Sequence, residues 1–140
     1  MRNRRAGFLS VVLIVASQIG CGEPSAEELA AKIAASEELR HIDRICMELP
    51  KPPTFKQIKK GISGNSGNTI VYYQFASDMS FVEMRDFYQD SSVRGQYILT
   101  GEHYQEPERF ISLLSLQRED VRIVLENRPP SAIFNLDCIK

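Results

Sequence analysis

The chain has 140 residues, 43% of them apolar and 25% charged, with 17 Lys and Arg against 18 Asp and Glu. That length and balance fit one folded domain with a real core plus at most an appended segment, which excludes a multidomain architecture and a mostly disordered chain. A formal charge of −1 also argues against a protein that works by neutralising phosphates, so nucleic acid is not an expected partner.

Residues 1–20 differ from the rest. Arg2, Arg4 and Arg5 make the start basic, and residues 6–19 carry no charge and are apolar apart from Ser10, Ser17 and Gln18. As a helix this run would reach about 21 Å, short of a hydrocarbon core of about 30 Å. It suits the apolar region of an export signal, with an uncleaved anchor or a buried core helix as the alternatives. Removing residues 1–20 leaves 14 Lys and Arg against 18 Asp and Glu, a formal charge near −4. Three cysteines remain, at positions 21, 46 and 138. In an exported chain an even pair closes as a disulfide and an odd one needs another fate, and the count points to Cys21 as the odd one.

Residues 1–21 resemble the signal of bacterial lipoproteins, in which basic residues and an apolar run precede a lipobox ending in Cys. Here the lipobox reads Gln18-Ile19-Gly20-Cys21, with Gln18 where Leu is usual. The resemblance implies cleavage after Gly20, a lipidated Cys21 as the new N-terminus and attachment to a membrane. Gly22, where Asp would retain such a protein at the inner membrane, implies the outer membrane in a bacterium that has two.

Residues 21–24 form a short linker, and Ser25 with Glu28 makes a capping box that opens a helix. Leu29, Ile33, Ala35, Leu39, Ile42 and Cys46 then recur at three- and four-residue steps, which predicts one amphipathic helix over 26–46. Pro50 ends it, and LPKPPT (49–54) is an extended connector. Residues 55–60 read as a short strand, GISGNSGN (61–68) as a loop or hairpin turn, and TIVYYQF (69–75) as a strand with Val71, Tyr73 and Phe75 on one face. Ser80 and Glu83 form a second capping box, flanked by Met79 and Met84, and open a helix over 81–90. Further strands follow at 96–100, 109–117, 121–126 and 132–139. Val121, Ile123 and Leu125 share one face of the third, and Phe134, Leu136 and Cys138 one face of the last.

This order predicts an α+β domain, an antiparallel sheet of about five to six strands covered by one helix, with an additional N-terminal amphipathic helix. The expected divisions are a signal peptide (1–20), a linker (21–24), the N-terminal helix (25–46) and the α+β domain (47–140). Cys46 at the end of the first helix and Cys138 on the inward face of the last strand could close a bridge contributing about 4–5 kcal/mol. Two separate buried thiols are the alternative.

Catalytic signals are absent from the sequence. His41 and His103 lie in no CxxC, HxH or HExxH pattern, and no GxSxG occurs. Glu27-Glu28 and Glu37-Glu38 read as solvated helix surface, and the Gly-rich loop lacks the Gly-Lys-Ser/Thr ending of a phosphate loop. Lys51, Lys56, Lys59 and Lys60 form a basic cluster that either meets anionic lipid or guards a sheet edge. Tyr72, Tyr88, Tyr97 and Tyr104 read as packing residues rather than an interface. YQFASDMSFVEMRDFY (73–88) is similar to small domains of unknown function in bacterial envelope proteins. The expectation is therefore a non-enzymatic binding or structural module of the cell envelope, with no cofactor or metal, whose partners are the membrane and an envelope protein. An inhibitor or immunity-type protein and an enzyme with a dispersed site are the alternatives.

Overall fold

A computed structural model of the chain describes residues 22–65, 67–104, 111–128 and 131–140. The segment expected to be an export signal, Cys21 and the first two residues of the strand expected from 109 lie outside the described residues, as do the side chains of His103 and Tyr104. Among the described residues no helix is long and apolar enough to cross a membrane.

Local chemistry sets the helix starts. Ser25 and Glu28 exchange bonds across the first turn of α1 (Ala26–Ala35), and Ser80 and Glu83 do the same for α3 (Phe81–Gln89). Both capping boxes satisfy amide groups that a helix start otherwise leaves orphaned. The single helix expected over 26–46 is two. Ser36, in extended geometry, ends α1 and caps α2 (Glu37–Glu48), its hydroxyl accepting from the Leu39 amide at 3.2 Å. A serine followed by Glu37 and Glu38 is itself a start signal, because first-turn acids complement the helix dipole. A short α4 (Ser91–Arg94), not foreseen, is capped by Asp90 and ended by Gly95 at φ 56°, a conformation that favours glycine.

The remaining elements are strands: β1 (Lys56–Asn65), β2 (Asn68–Ala76), β3 (Ile98–Tyr104), β4 (Ser112–Arg118), β5 (Val121–Asn127) and β6 (Ile133–Ile139). They form one antiparallel sheet in the order β1-β2-β6-β5-β4-β3, which establishes the α+β class. The Gly-rich stretch is a hairpin as expected, but most of it is strand, with Gly61 to Gly64 paired on β2. At Gly61 the reason for glycine is contact: a Cβ there would run into the Tyr72 ring, which lies across it from the paired position.

One face of the sheet carries the core. Val71, Tyr73, Phe75, Leu114, Leu116, Val121, Ile123, Leu125, Phe134 and Leu136 are buried on it. Two helices rather than one cover them. α2 lies against β2, β5 and β6, so the second half of the expected N-terminal helix is part of the cover, while α1 packs on α2, and α3 contributes Phe81, Met84 and Tyr88. Cys46 and Cys138 are fully buried and form a disulfide with Cα atoms 6.1 Å apart. Tyr88 and Tyr97 are core residues whose hydroxyls donate to the Pro50 carbonyl at 2.7 Å and the Ile45 carbonyl at 2.5 Å.

Both edges of the sheet are irregular. Register shifts occur between Gln57 and Lys59 on β1 and between Leu99 and Gly101 on β3. Bulges and lysines on edge strands oppose edge-to-edge pairing. Of the basic cluster only Lys56 and Lys59 lie on β1 without turning inward, Lys59 being paired with Glu23, whereas Lys60 turns to Asp43 and Lys51 bonds backbone carbonyls at the end of α2.

Candidate functional site

The β1 bulge has a consequence inside the fold. Tyr73 and Phe75 face inward on β2, and their partners across the ladder are Lys60 and Gln57. Without the extra residue, strict alternation from Gln57 would turn Lys59 inward and Lys60 outward. The bulge instead brings Lys60 over the Tyr73 ring, 5.1 Å from its centroid, and leaves Ile58 exposed.

Lys60 there meets Asp43 of α2, one of few buried charged residues, with Nζ 2.8 Å from Oδ1 and 3.0 Å from Oδ2. The Tyr73 hydroxyl donates to the same carboxylate. Burial, reinforced by the neighbouring Asp43 carboxylate, pushes the Tyr73 phenol well above its usual range, so it remains a donor. Asp43 was not singled out in the sequence, although a signal was present. Leu39, Ile42, Asp43 and Cys46 follow the i, i+3, i+4, i+7 spacing of one helix face, which places the acid in the apolar stripe.

Beside this triad a groove of about 420 Å³ opens between the end of α2 and β1–β2. Its lining is Met47, Lys51, Phe55, Gln57, Lys60, Tyr73 and Phe75. Phe55 is half-buried and stacks on Phe75 with ring centroids 5.3 Å apart, which gives the groove an aromatic floor. Met47 on the rim is 63% exposed. The Lys51 ammonium donates to the carbonyls of Cys46 at 2.6 Å and Met47 at 2.9 Å, closing the last turn of α2. Burial lowers its pKa to about 8 against a partial opposing effect of Asp43.

A second polar cluster lies at the other end of α2. His41 Nε2 is 2.7 Å from Asp120 Oδ1 and 3.6 Å from Glu119 Oε2. These three residues could in principle hold a cation, since their donor atoms all lie within 4.8 Å of one another. Each carboxylate is already answered: Lys140 Nζ sits 2.7 Å from Asp120 Oδ2, and Arg44 Nη2 is 3.7 Å from Glu119 Oε1 and 3.3 Å from His41 Nδ1. The Lys140 and His41 bonds hold the Asp120 pKa down at about 2. The cluster thus acts as a clasp between α2, the β4–β5 turn and the C-terminus. Glu119 occupies that two-residue turn at φ 54°, where a side chain costs about 1–2 kcal/mol. Its ion pairs are exposed and contribute little. Glu119→Gly is therefore expected to raise stability by about 0.5–1 kcal/mol after the added chain entropy of glycine, read by urea denaturation. A loss instead would mean that the clasp outweighs the backbone strain.

Of the residues singled out in the sequence, the disulfide pair and His41 are placed by described atoms, and Cys21 is not. Set against family models, curated proteins and solved structures, the chain finds no match. Neither cluster brings a nucleophile together with a base and an orienting group, as acyl or phosphoryl transfer would need. The groove offers an apolar floor with a few convergent polar groups, the usual make-up of a ligand site.

Proposed function

We propose that this is an exported, lipid-anchored module of the cell envelope that works by binding rather than by catalysis. The observation that carries the reading is the disulfide. Cys46 and Cys138 bond to each other in the core, which leaves Cys21 as the cysteine outside that bridge. Buried structural disulfides belong to oxidising compartments, which supports export, and the lipobox-like Gln18-Ile19-Gly20-Cys21 supports lipidation. The spacing also fits. Glu23 pairs with Lys59 on β1 and α1 begins at Ala26, so an anchor on Cys21 would hold the domain close to the bilayer, with no long stalk.

Mass spectrometry of the membrane fraction tests this directly. The expected N-terminus is Cys21 carrying a diacylglyceryl group, and a chain that begins at any other residue would overturn the anchor.

A further inference from the structure

The groove between α2 and β1–β2 carries a charge that the fold leaves unanswered. Two ammonium groups line it, Lys51 and Lys60, and the neighbouring Asp43 carboxylate already accepts from Lys60 on both oxygens and from the Tyr73 hydroxyl. Among the described residues Lys51 has carbonyl partners only, and no carboxylate stands within ion-pair distance of it. Two carbonyl dipoles cap a helix well but do not neutralise a half-buried charge. The same groove is lined by the aromatic rings of Phe55, Phe75 and Tyr73 and by the exposed Met47. Burying that methionine and the Phe55 ring under a ligand would recover apolar area that the folded domain leaves open to water.

We propose that this groove binds a monoanionic amphiphile, with an acyl or aromatic body lying on Phe55, Phe75 and Tyr73 and a carboxylate meeting the Lys51 and Lys60 ammonium groups. A volume of about 420 Å³ is within the usual range of small-molecule sites and suits a single chain or ring system. The neighbouring groove between α1 and β1, about 370 Å³ and lined by Leu29, Ala30 and Ile33, has an apolar wall but no unmatched charge. The cleft at His41 is larger, about 690 Å³, but its charges are already paired in part, Asp120 with Lys140 and Glu119 with Arg44, and it has no unmatched cation among the described residues. Charge recognition also gives the site a pH dependence. The charged groups that act at Lys51 are Asp43 on α2, whose carboxylate opposes the effect of burial, and Lys60 on β1, which lines the same groove, with the Tyr73 phenol on β2 staying neutral. Lys51 loses its proton near pH 8, so affinity for an anion should fall as pH rises through and beyond that value.

The test uses the intact domain and three probes with one tail: decanoate and decyltrimethylammonium below their micellar concentrations and decanol below its solubility limit, followed by calorimetry and amide chemical shifts. The expected result is saturable binding of decanoate, at least about tenfold tighter than of the neutral and cationic probes, as a charge-assisted hydrogen bond implies. Shifts should centre on Met47, Lys51, Phe55 and Lys60. Lys51→Met should weaken decanoate binding about 10- to 100-fold and abolish its decline above pH 8, and Lys51→Arg should restore much of the affinity. Because Lys51 also caps α2, the exposed Met47→Glu serves as a second variant and should repel decanoate in a folded protein. Equal binding of all three probes, shifts centred elsewhere, or no saturable decanoate binding would each overturn the proposal. None of these outcomes bears on the anchor at Cys21.

Discussion

Removing the Cys46–Cys138 bridge should cost about 4–5 kcal/mol, because it closes a loop with a sequence separation of 92 residues. A domain of this size has a total stability of about 5–15 kcal/mol, so the loss is a large share of it. In the chain-entropy view the bridge acts mostly on the unfolded state: it ties the end of α2 to the last strand, and the unfolded chain loses the conformations that separate them. The joint Cys46→Ala, Cys138→Ala variant should melt about 15–25 °C below the oxidised protein. The reduced wild-type chain should melt in the same range. Both sulfur sites are fully buried, so the alanine variant adds a small cavity term that reduction does not. If reduction lowered the melting temperature by only a few degrees, the bridge would not be a main staple, and the compartment argument built on it would weaken.

The parts of the fold that were legible in the sequence are those in which one local rule dominates. Ser25 with Glu28 and Ser80 with Glu83 announced two helices because a capping box needs nothing outside its own turn. The alternation of Val71, Tyr73 and Phe75, and of Phe134, Leu136 and Cys138, gave the strands and their inward faces. Pairing Cys46 with Cys138 followed from placing one at a helix end and the other on an inward face. The break at Ser36 is hidden because the apolar periodicity runs through it: Ile33 is buried and Leu39 packs against the core, as both would on one helix. The role of α2 was likewise hidden, since nothing local distinguishes a helix that covers the sheet from one that merely precedes it.

The candidate site was less legible, for a physical reason. Its position depends on a bulge, and a bulge is a property of two paired strands rather than of one segment. From the sequence, Lys56, Lys59 and Lys60 look equivalent. In the fold Lys60 turns inward to Asp43, Lys59 turns to Glu23 and Lys51 closes α2. A basic cluster therefore separates into three different tasks, and only Asp43 within the Leu39–Cys46 stripe hinted at an inward partner.

The Asp43–Lys60–Tyr73 triad is where the second large effect is expected. Asp43→Leu removes the carboxylate, leaves the Lys60 ammonium over an aromatic ring without its counter-charge, and takes away the acceptor of the buried Tyr73 hydroxyl. Breaking a fully buried pair costs about 3–5 kcal/mol, and the Lys60 side chain keeps 23% of its exposure, so about 2–4 kcal/mol is expected here. Restoring balance should recover much of it. In Asp43→Leu combined with Lys60→Met no charge is stranded, and apolar replacements of ion pairs are often neutral, so the double variant should be at least about 1 kcal/mol more stable than Asp43→Leu alone. Urea denaturation of the wild type, both single variants and the double variant closes the cycle. If the effects simply added, Asp43 and Lys60 would not be coupled. The inward turn of Lys60 would then serve something other than this pair, and the groove beside it would be the place to look.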